Sequence, residues 1–272
     1  MPSVPLLLVD GHGLAWRAAC GFPCRIRSRS GVDITAVFGF FALLRKTHRE
    51  RVRGSEILVC FDSETAINPR IASFPEYKAR EASAPVREFT PFDWMETIFL
   101  GLDLLSIGWC EAHSWEADDH IASVANGVTD RRIGVMSADH DFLQLVDRRI
   151  RLVTPLRTYA VRDVLERYSV HPRQWCDYRA LTGDNSDNIP GVWGIGPKRA
   201  AYVLSGRRTL ERARIPQTWW GERLRADLDS AFLWRDLIRL RRTESVEVAP
   251  LNRPTPELPR AADVCEALGL WV

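Results

Sequence analysis

The chain has 272 residues, 46% of them hydrophobic and 26% charged, with a formal net charge of +2. These values are typical of a globular protein that buries a sizeable core. The N-terminal apolar run in "PSVPLLLVDG" follows no basic region and is too short for a signal peptide or a membrane span. The six cysteines have no zinc-like spacing, so we expect reduced thiols in a cytoplasmic protein.

The basic residues are unusual in kind and in distribution. The chain has 34 arginines and 3 lysines. Arginine makes planar, bidentate contacts with phosphate, although a GC-rich genome would produce the same bias. Residues 142–225 contain 16 basic and 8 acidic residues, a net charge of +8, which leaves about −6 for the rest of the chain. This asymmetry indicates a polyanion-binding surface beside a cation site.

Strands and helices alternate in the first part of the chain. Four apolar runs are predicted strands: residues 4–9, 56–62, 132–139 and 149–153. Helical patterns lie at residues 32–49, 91–107, 115–127 and 160–168. This alternation predicts an α/β fold with a mainly parallel sheet. Sites in such sheets lie beyond the carboxyl ends of the strands, where Asp10, Asp62 and Asp139 stand.

Two later regions depart from this alternation. Residues 64–90 are rich in charge and proline, and such a long excursion is usually functional or mobile. After about residue 170 the chain is predicted to be all-helical, with one helix in "HPRQWCDYRALTG", one in "PKRAAYVLSG" and a longer one in "ERLRADLDSAFLWRDLIRLRR". A proline-rich, extended segment follows.

Nine acidic residues form the main candidate site. Each taken alone is explained by a turn or a helix cap. Together, at one edge of a sheet, they cannot all be ionised without bound cations. Because no histidine or cysteine cluster accompanies them, all-oxygen ligation by Mg²⁺ or Mn²⁺ is expected, and a pair of such ions suits phosphodiester cleavage. The nine are Asp10, Asp62, Glu116, Asp118, Asp119, Asp139, Asp141, Asp184 and Asp187.

The segment "LTGDNSDNIPGVWGIGPKRAA", residues 181–201, predicts a helix, a glycine-rich turn and a second helix. Glycines allow close approach of the backbone to a ligand, and the turn would direct free N–H groups at a phosphate. A plain helical hairpin is the alternative. The candidate DNA-binding residues here are Gly191, Val192, Gly194, Ile195, Gly196, Lys198 and Arg199.

These motifs together resemble the bacterial and phage 5′-nuclease (flap endonuclease) family, which includes the N-terminal nuclease domain of DNA polymerase I. The resemblance covers nearly the whole chain and is carried by "LLLVDGHGLAWRA", "VCFDSE", "YKAR", "WEADDHIAS", "MSADHDFLQLV" and "YRALTGDNSDNIPGVWGIGPKRA". It implies a PIN-like core over residues 1–170, a helical arch at about 64–90, a helix-3-turn-helix DNA-binding region over 171–250 and an extended tail over 251–272.

The resemblance also implies roles for the acids. The first metal would be held by Asp10, Asp62, Glu116 and Asp118, and the second by Asp139, Asp141, Asp184 and Asp187. Asp118 or Asp139 would bridge the two ions. We expect Asp118 to contact metal directly and Asp119 to lie outside the inner shell. The implied cofactors are at least two Mg²⁺ or Mn²⁺ ions, together with a monovalent cation at the hairpin.

The resemblance assigns Tyr77 and Lys78 to the gateway of the arch, with Lys78 contacting the scissile phosphate. The family has an arginine three residues after this lysine, where this chain has Glu81. Arg80 would take that role after a small shift, and Arg70 or Arg87 are alternatives.

The expected activity is hydrolysis of flapped or branched duplex DNA, and of RNA primers in RNA–DNA hybrids, by a monomer without a membrane partner. Because no polymerase domain follows, we expect a free-standing nuclease. Three alternatives stay open: a PIN-like RNA-specific nuclease, a DNA-binding homologue without catalysis, and a small-molecule phosphatase. The phosphatase would need neither the arch nor the basic half.

Overall fold

A mostly parallel sheet organises the first part of the chain. The computed structural model describes residues 3–67, 69–79, 90–243 and 249–271. Within them the sheet has six strands in the order β3-β2-β1-β4-β5-β6, all neighbours parallel except β5 and β6. The strands are β1 Leu6–Asp10, β2 Glu56–Ile67, β3 Gly108–Ser114, β4 Ile133–Met136, β5 Ile150–Val153 and β6 Thr158–Tyr159. The predicted mainly parallel α/β sheet is therefore confirmed.

Helices cover both faces of this sheet and form the second part of the chain. They are α1 Gly11–Gly21, α2 Thr35–Arg51, α3 Pro69–Ser73, α4 Met95–Leu104, α5 Ala117–Gly127, α6 Val161–Tyr168, α7 Trp175–Thr182, α8 Pro197–Val203, α9 Trp219–Ala226, α10 Leu228–Ile238 and α11 Ala261–Ala267. Short 3₁₀ turns lie at Pro91–Trp94, His140–Leu145, Pro172–Gln174 and Leu210–Arg212. None of the helices in the described part of the chain is long and apolar enough to cross a membrane.

The alternation of side chains along β1 divides the core into two layers. Leu7 and Val9 face α1, α2, α4 and α11, whereas Leu6 and Leu8 face α5 and the helices after residue 170. Every residue of β1 is buried, as expected for a central strand with a helical layer on each face. The second helical region is thus continuous with the core under one face of the sheet.

Two predicted elements differ in the structure. The long helix expected from "ERLRADLDSAFLWRDLIRLRR" is two helices, α9 and α10, separated at Asp227. The tail over 251–272, predicted to be extended, contains α11, whose apolar side packs on α2 through Val264 and Cys265. A short apolar face at helical spacing was enough to form this helix once a complementary surface was available.

The region assigned to the arch is only partly described. Residues 64–67 continue β2 and residues 69–73 form α3. Residues 80–89, which include Arg80, Glu81 and Arg87, lie outside the described residues.

Candidate active site

Asp10 ends β1 and caps α1. Its carboxylate accepts hydrogen bonds from the N–H of Gly13 and from Ser137 Oγ, both at 2.7 Å. Glycine is required at position 13, because a Cβ there would lie 2.1 Å from Asp10 Oδ2. Burial raises the pKa of Asp10 to about 6, and the negative charges of Asp62 and Asp139 add to the rise. The two hydrogen bonds lower the pKa but do not offset the effect of burial.

Asp139 lies beside Asp10 because β1 and β4 are neighbours. β2 and β3 lie on one side of β1, and β4 lies on the other side. This reversal of strand order leaves a crevice at the carboxyl ends of β1 and β4. The Asp139 N–H donates to Ser137 Oγ at 3.0 Å, and Ser137 Oγ donates to Asp10. Ser137 therefore fixes the two strand ends relative to each other.

Asp62 connects β2 to the start of α5. Its Oδ1 accepts a hydrogen bond from the N–H of Ala117 at 2.7 Å. Its own N–H donates to His12 Nδ1 at 2.9 Å. Because Nδ1 accepts this bond, the proton of a neutral His12 ring belongs on Nε2, and the 3.5 Å approach of Nδ1 to Asp62 Oδ2 is not an ion pair in that state.

The first turn of α5 brings two more carboxylates to this edge. Glu116 is the N-cap residue of α5, and Asp118 is the second residue of its first turn. Burial raises the pKa of Asp118 well above its usual range, and the negative charges of Asp10, Asp139, Glu116 and Asp62 raise it further. Five acids from four parts of the chain are thus close enough for their charges to raise the pKa of Asp118.

Glu116 is also where the segment after β2 meets the site. Its carboxylate accepts hydrogen bonds from Arg70 Nη1 at 2.9 Å and from the Tyr77 hydroxyl at 3.0 Å, and it pairs with Lys78 Nζ. Lys78 has a φ of +53°, uncommon for a residue with a side chain, and its N–H donates to the carbonyl of Asp187. The two gateway residues therefore lie at the carboxylate pocket.

Asp119 takes a different position from its neighbour Asp118. Its side chain is fully buried, and its oxygens accept hydrogen bonds from both Nη atoms of Arg70 and from the N–H groups of Glu116 and Arg241. Because this carboxylate is fully buried among its donors, Asp119 stabilises the start of α5. The Arg70 guanidinium is bound in the same network, which leaves it no free edge for a phosphate.

A second group of carboxylates forms where the first part of the chain meets the hairpin. Asp141, Asp184 and Asp187 each offer one oxygen, and these oxygens lie within 4.8 Å of one another. Burial raises the pKa of Asp141 well above its usual range. Burial raises the pKa of Asp187 to about 7, where the charges of Asp184, Asp139 and Glu116 add to the rise and Lys78 opposes it. Their proximity favours a shared cation.

Asp184 differs from Asp141 and Asp187 in the direction of its pKa shift. Burial opposes its charge, but hydrogen bonds from Ser186 and the Arg179 guanidinium hold its pKa below the usual range. Arg179 Nε also lies 3.7 Å from Asp141 Oδ1, and the Trp175 indole N–H donates to the same oxygen at 3.2 Å. These contacts orient two of the three acids.

The donors of both groups are carboxylates, which are the ligands that small divalent cations prefer. Eight of the nine predicted acids line this edge, while the ninth, Asp119, is turned to Arg70. The raised pKa values show that the pocket resists carrying all of its charges at once. The residues present therefore fit divalent metal ions.

The hairpin separates its predicted residues into two sets. Gly183 and Gly191 have positive φ and lie back to back, since a Cβ on Gly191 would lie 2.4 Å from Gly183 N. Val192 and Ile195 are buried in the core. The surface is formed by Gly194, Gly196 and Lys198, while Arg199 Nη1 donates to the carbonyl of Gly194 at 2.6 Å.

Three residues around the acids were not predicted as site residues: His12, Ser137 and Arg179. Each stands within two to five positions of a predicted acid, in "DGH", "SAD" and "RALTGD". A polar residue close in sequence to a predicted acid could therefore have been predicted as a further site residue. Their partners across the sheet or in the next loop are set by tertiary structure.

Two family models match consecutive parts of the chain. A model described as "5′-3′ exonuclease, N-terminal resolvase-like domain" matches residues 5–169, and one described as "5′-3′ exonuclease, C-terminal SAM fold" matches residues 170–257.

Curated relatives are DNA polymerases I. The thermostable DNA polymerase I of Thermus filiformis is 34% identical over 94% of this chain, and that of Thermus aquaticus is 34% identical over 98%. The matched regions are 31% and 32% of those proteins, so the chain spans about a third of their length.

Solved structures share the fold. A zinc-bound T5 5′-exonuclease is 21% identical, with a TM-score of 0.68 over 87% of this chain and 89% of the other. The catalytic core of Rad2 in complex with DNA substrate is 15% identical, with a TM-score of 0.60 over 98% of this chain and 87% of the other.

Proposed function

The chain belongs to the 5′-3′ exonuclease family, and on this premise we propose that it is a structure-specific 5′ nuclease that cleaves flapped or branched duplex DNA. The observation that carries the proposal is the set of eight carboxylates at one edge of the sheet, contiguous with a glycine-rich hairpin. Binding of DNA alone would not need the carboxylates, and hydrolysis of a small phosphate ester would not need the hairpin.

The proposed cofactors are Mg²⁺ or Mn²⁺. When bound, such ions activate water and neutralise the leaving oxygen in phosphodiester hydrolysis. Asp10, Asp62, Glu116 and Asp118 would hold one ion. Asp139, Asp141, Asp184 and Asp187 would hold the other, and this partition belongs to the proposal.

Lys78 is the residue that we propose to bind the scissile phosphate. Its ammonium contacts Glu116 at the rim of the carboxylate pocket, and its side chain is one-third exposed. A phosphate that approaches the pocket therefore meets a positive charge that is already oriented. The Tyr77 hydroxyl donates a hydrogen bond to the Glu116 carboxylate and so helps to orient it.

The hairpin is the proposed anchor for duplex DNA. The exposed backbone at Gly196, the half-buried Gly194 beside it and the ammonium of Lys198 suit phosphate contacts without sequence preference. A monovalent cation at the hairpin is included in the proposal on the family resemblance alone. We also propose that the protein cleaves RNA–DNA hybrids and acts as a monomer. Its six free cysteines suit a reducing cytoplasm.

The test is cleavage of a 5′-flap duplex by the full chain with and without Mg²⁺ or Mn²⁺. Metal-dependent cleavage at the flap junction is expected, and its absence would contradict the nuclease proposal. Asp139→Asn and Asp141→Asn should remove cleavage and spare binding, because loss of a negative charge does not weaken contact with a polyanion. Asp229→Asn, an exposed aspartate on α10, is the matched control.

DNA and RNA flaps of the same sequence should be compared in this assay. Faster cleavage of RNA alone would favour an RNA-specific nuclease. Binding without cleavage at any metal concentration would favour a homologue that has lost catalysis.

A further inference from the structure

Two tryptophans stand exposed beside the hairpin. Trp193 is 70% exposed and Trp219 is 53% exposed, and their ring centres lie 5.4 Å apart with 54° between the planes. Tryptophan is highly buried on average, and exposed aromatic clusters mark interaction surfaces. The proposed contacts of the hairpin with phosphate do not use either ring.

The glycines of the hairpin lie next to both rings. Trp193 stands between Gly191 and Gly194, which have φ of +70° and +82°. Trp219 begins α9, and its ring covers Gly194 so closely that a Cβ there would lie 2.7 Å from Trp219 Cη2. The glycine thus makes room for the indole, and the pair is built into the fold.

Arg199 packs against Trp219. Its guanidinium carbon lies 5.0 Å from the ring centre of Trp219 and 5.3 Å from that of Trp220. The hydrogen bond from Arg199 to the Gly194 carbonyl fixes that guanidinium. The fixed Arg199 guanidinium thus restrains the Trp219 ring, part of which is exposed to solvent.

The charge of the segment that carries the pair indicates what it binds. It lies in the segment 142–225, which carries a net charge of +8, and the exposed Lys198 is nearby in sequence. Aromatic rings combined with positive charge are typical of surfaces that bind single-stranded nucleic acid, where bases stack on the rings. A protein partner would need acidic groups around an apolar anchor.

We propose that Trp193 and Trp219 form a stacking site for an unpaired nucleotide next to the duplex anchor. The faces of paired bases are hidden inside a duplex, whereas a base in a gap or at a strand end presents one. The proposal rests on the proposed nuclease function and extends it to substrates with unpaired nucleotides on the duplex side of the hairpin.

The experiment measures binding of the full chain to end-labelled oligonucleotides by fluorescence anisotropy, in a chelator that prevents cleavage. An oligothymidylate is compared with an abasic strand of the same length and charge. Wild type should bind the abasic strand about tenfold more weakly or worse, because stacking is lost while the phosphates remain. Binding of oligothymidylate should also quench tryptophan fluorescence.

Variants assign this difference to the pair. Trp193→Ala should weaken binding of oligothymidylate by about tenfold and leave binding of the abasic strand unchanged, while Trp193→Phe should keep most of the difference. Trp219→Phe is used in place of alanine, because the Trp219 ring packs on Gly194. Leu156→Ala, an apolar side chain that is 69% exposed on the turn between β5 and β6, is the matched control.

Equal affinity of wild type for both strands, or an equal loss for both in Trp193→Ala, would overturn the stacking proposal. The same preparation is assayed on the 5′-flap duplex with metal. Flap cleavage without base-dependent binding defeats stacking alone, and base-dependent binding without cleavage defeats the nuclease proposal alone.

Discussion

Arg70 and Asp119 form a buried ion pair beneath the start of α5. Arg70 Nη1 and Nη2 donate to the two oxygens of Asp119 at 2.6 and 2.8 Å, and the side chains are 4% and 0% exposed. Arg70 also donates to the carbonyls of Leu237 and Arg239 at the end of α10. One guanidinium therefore joins α3, α5 and α10.

Asp119→Asn should destabilise the fold, because it leaves the buried guanidinium without its counter-charge. The expected loss is about 3 kcal/mol in the free energy of unfolding. Asp118→Asn should leave the free energy of unfolding unchanged or higher in a chelator, since it removes a charge that its neighbours oppose. Urea unfolding of both variants measures this ranking.

The ranking should reverse for activity. At a temperature where both variants are folded, Asp118→Asn should lose more metal-dependent flap cleavage than Asp119→Asn. If Asp119→Asn unfolds like wild type yet loses more cleavage, then Asp119 acts on the metal and not on Arg70.

The effect of metal on stability should depend on pH. The pKa of Asp10 is raised from 3.8 to about 6 and that of Asp187 to about 7, so the folded state holds these protons more tightly than the unfolded state. Their contribution to stability is full below about pH 4 and is lost as the pH rises through 6 and 7. Divalent ions bind the ionised forms, so they compete with these protons.

The rise in Tm caused by Mg²⁺ or Mn²⁺ should therefore be larger at pH 7.5 than at pH 5.5. At about 100 times Kd, the stabilisation at the higher pH is about 2.7 kcal/mol. Thermal unfolding at both pH values, with metal and with chelator, measures it. A rise that is equal at both would show that the raised pKa values do not belong to the metal ligands. Asp10→Asn should reduce the difference.

Lys78→Met should reduce the single-turnover rate of flap cleavage by about 10²-fold or more, because it removes a cation oriented toward the reacting phosphate. Tyr77→Phe removes one hydrogen bond to Glu116 and should cost much less. Binding of the flap duplex should change little in both. An unchanged cleavage rate in Lys78→Met would show that the ammonium serves only to pair with Glu116.

Lys198→Ala should weaken duplex binding and reduce the slope of log K against log salt by about one. Lys46→Ala on α2, far along the chain from the hairpin, is the matched control and should keep the full slope. Titrations of uncleaved duplex at several salt concentrations measure both. An unchanged slope in Lys198→Ala would remove this lysine from the phosphate contacts.

The strands with continuous apolar runs were predictable, whereas β3 and α1 are among the elements that were not. β3, "GWCEAHS", mixes apolar and polar residues because it is an edge strand of the sheet, so its period is weak. α1 begins with two glycines in its first three positions, which disfavour a helix locally. The cap by Asp10 and packing on α2 overcome that preference.

Three acids of the site, Asp10, Asp62 and Asp139, were predictable because parallel strands bring their carboxyl ends to one edge. The division between Asp118 and Asp119 depends on where Arg70 lies, which is set by α3 and by α10 more than 160 positions later. Arg70 was an alternative for the gateway arginine, yet it is buried in that pair. Sequence spacing predicts which acids approach the edge of the sheet, but tertiary contacts decide which carboxylate oxygens stay available for a metal ion.

The C-terminal segment returns to the first part of the chain. The N–H groups of Leu251 and Asn252 donate to Glu56 at the start of β2, and α11 buries Ala261, Val264 and Cys265 beside α2. The residues matched by the N-terminal family model therefore share their core with residues far beyond it. A fragment ending near residue 169 would lose α11 from one layer of the core and the helices after residue 170 from the other, so the two family-defined parts are units of sequence that share both layers of the core.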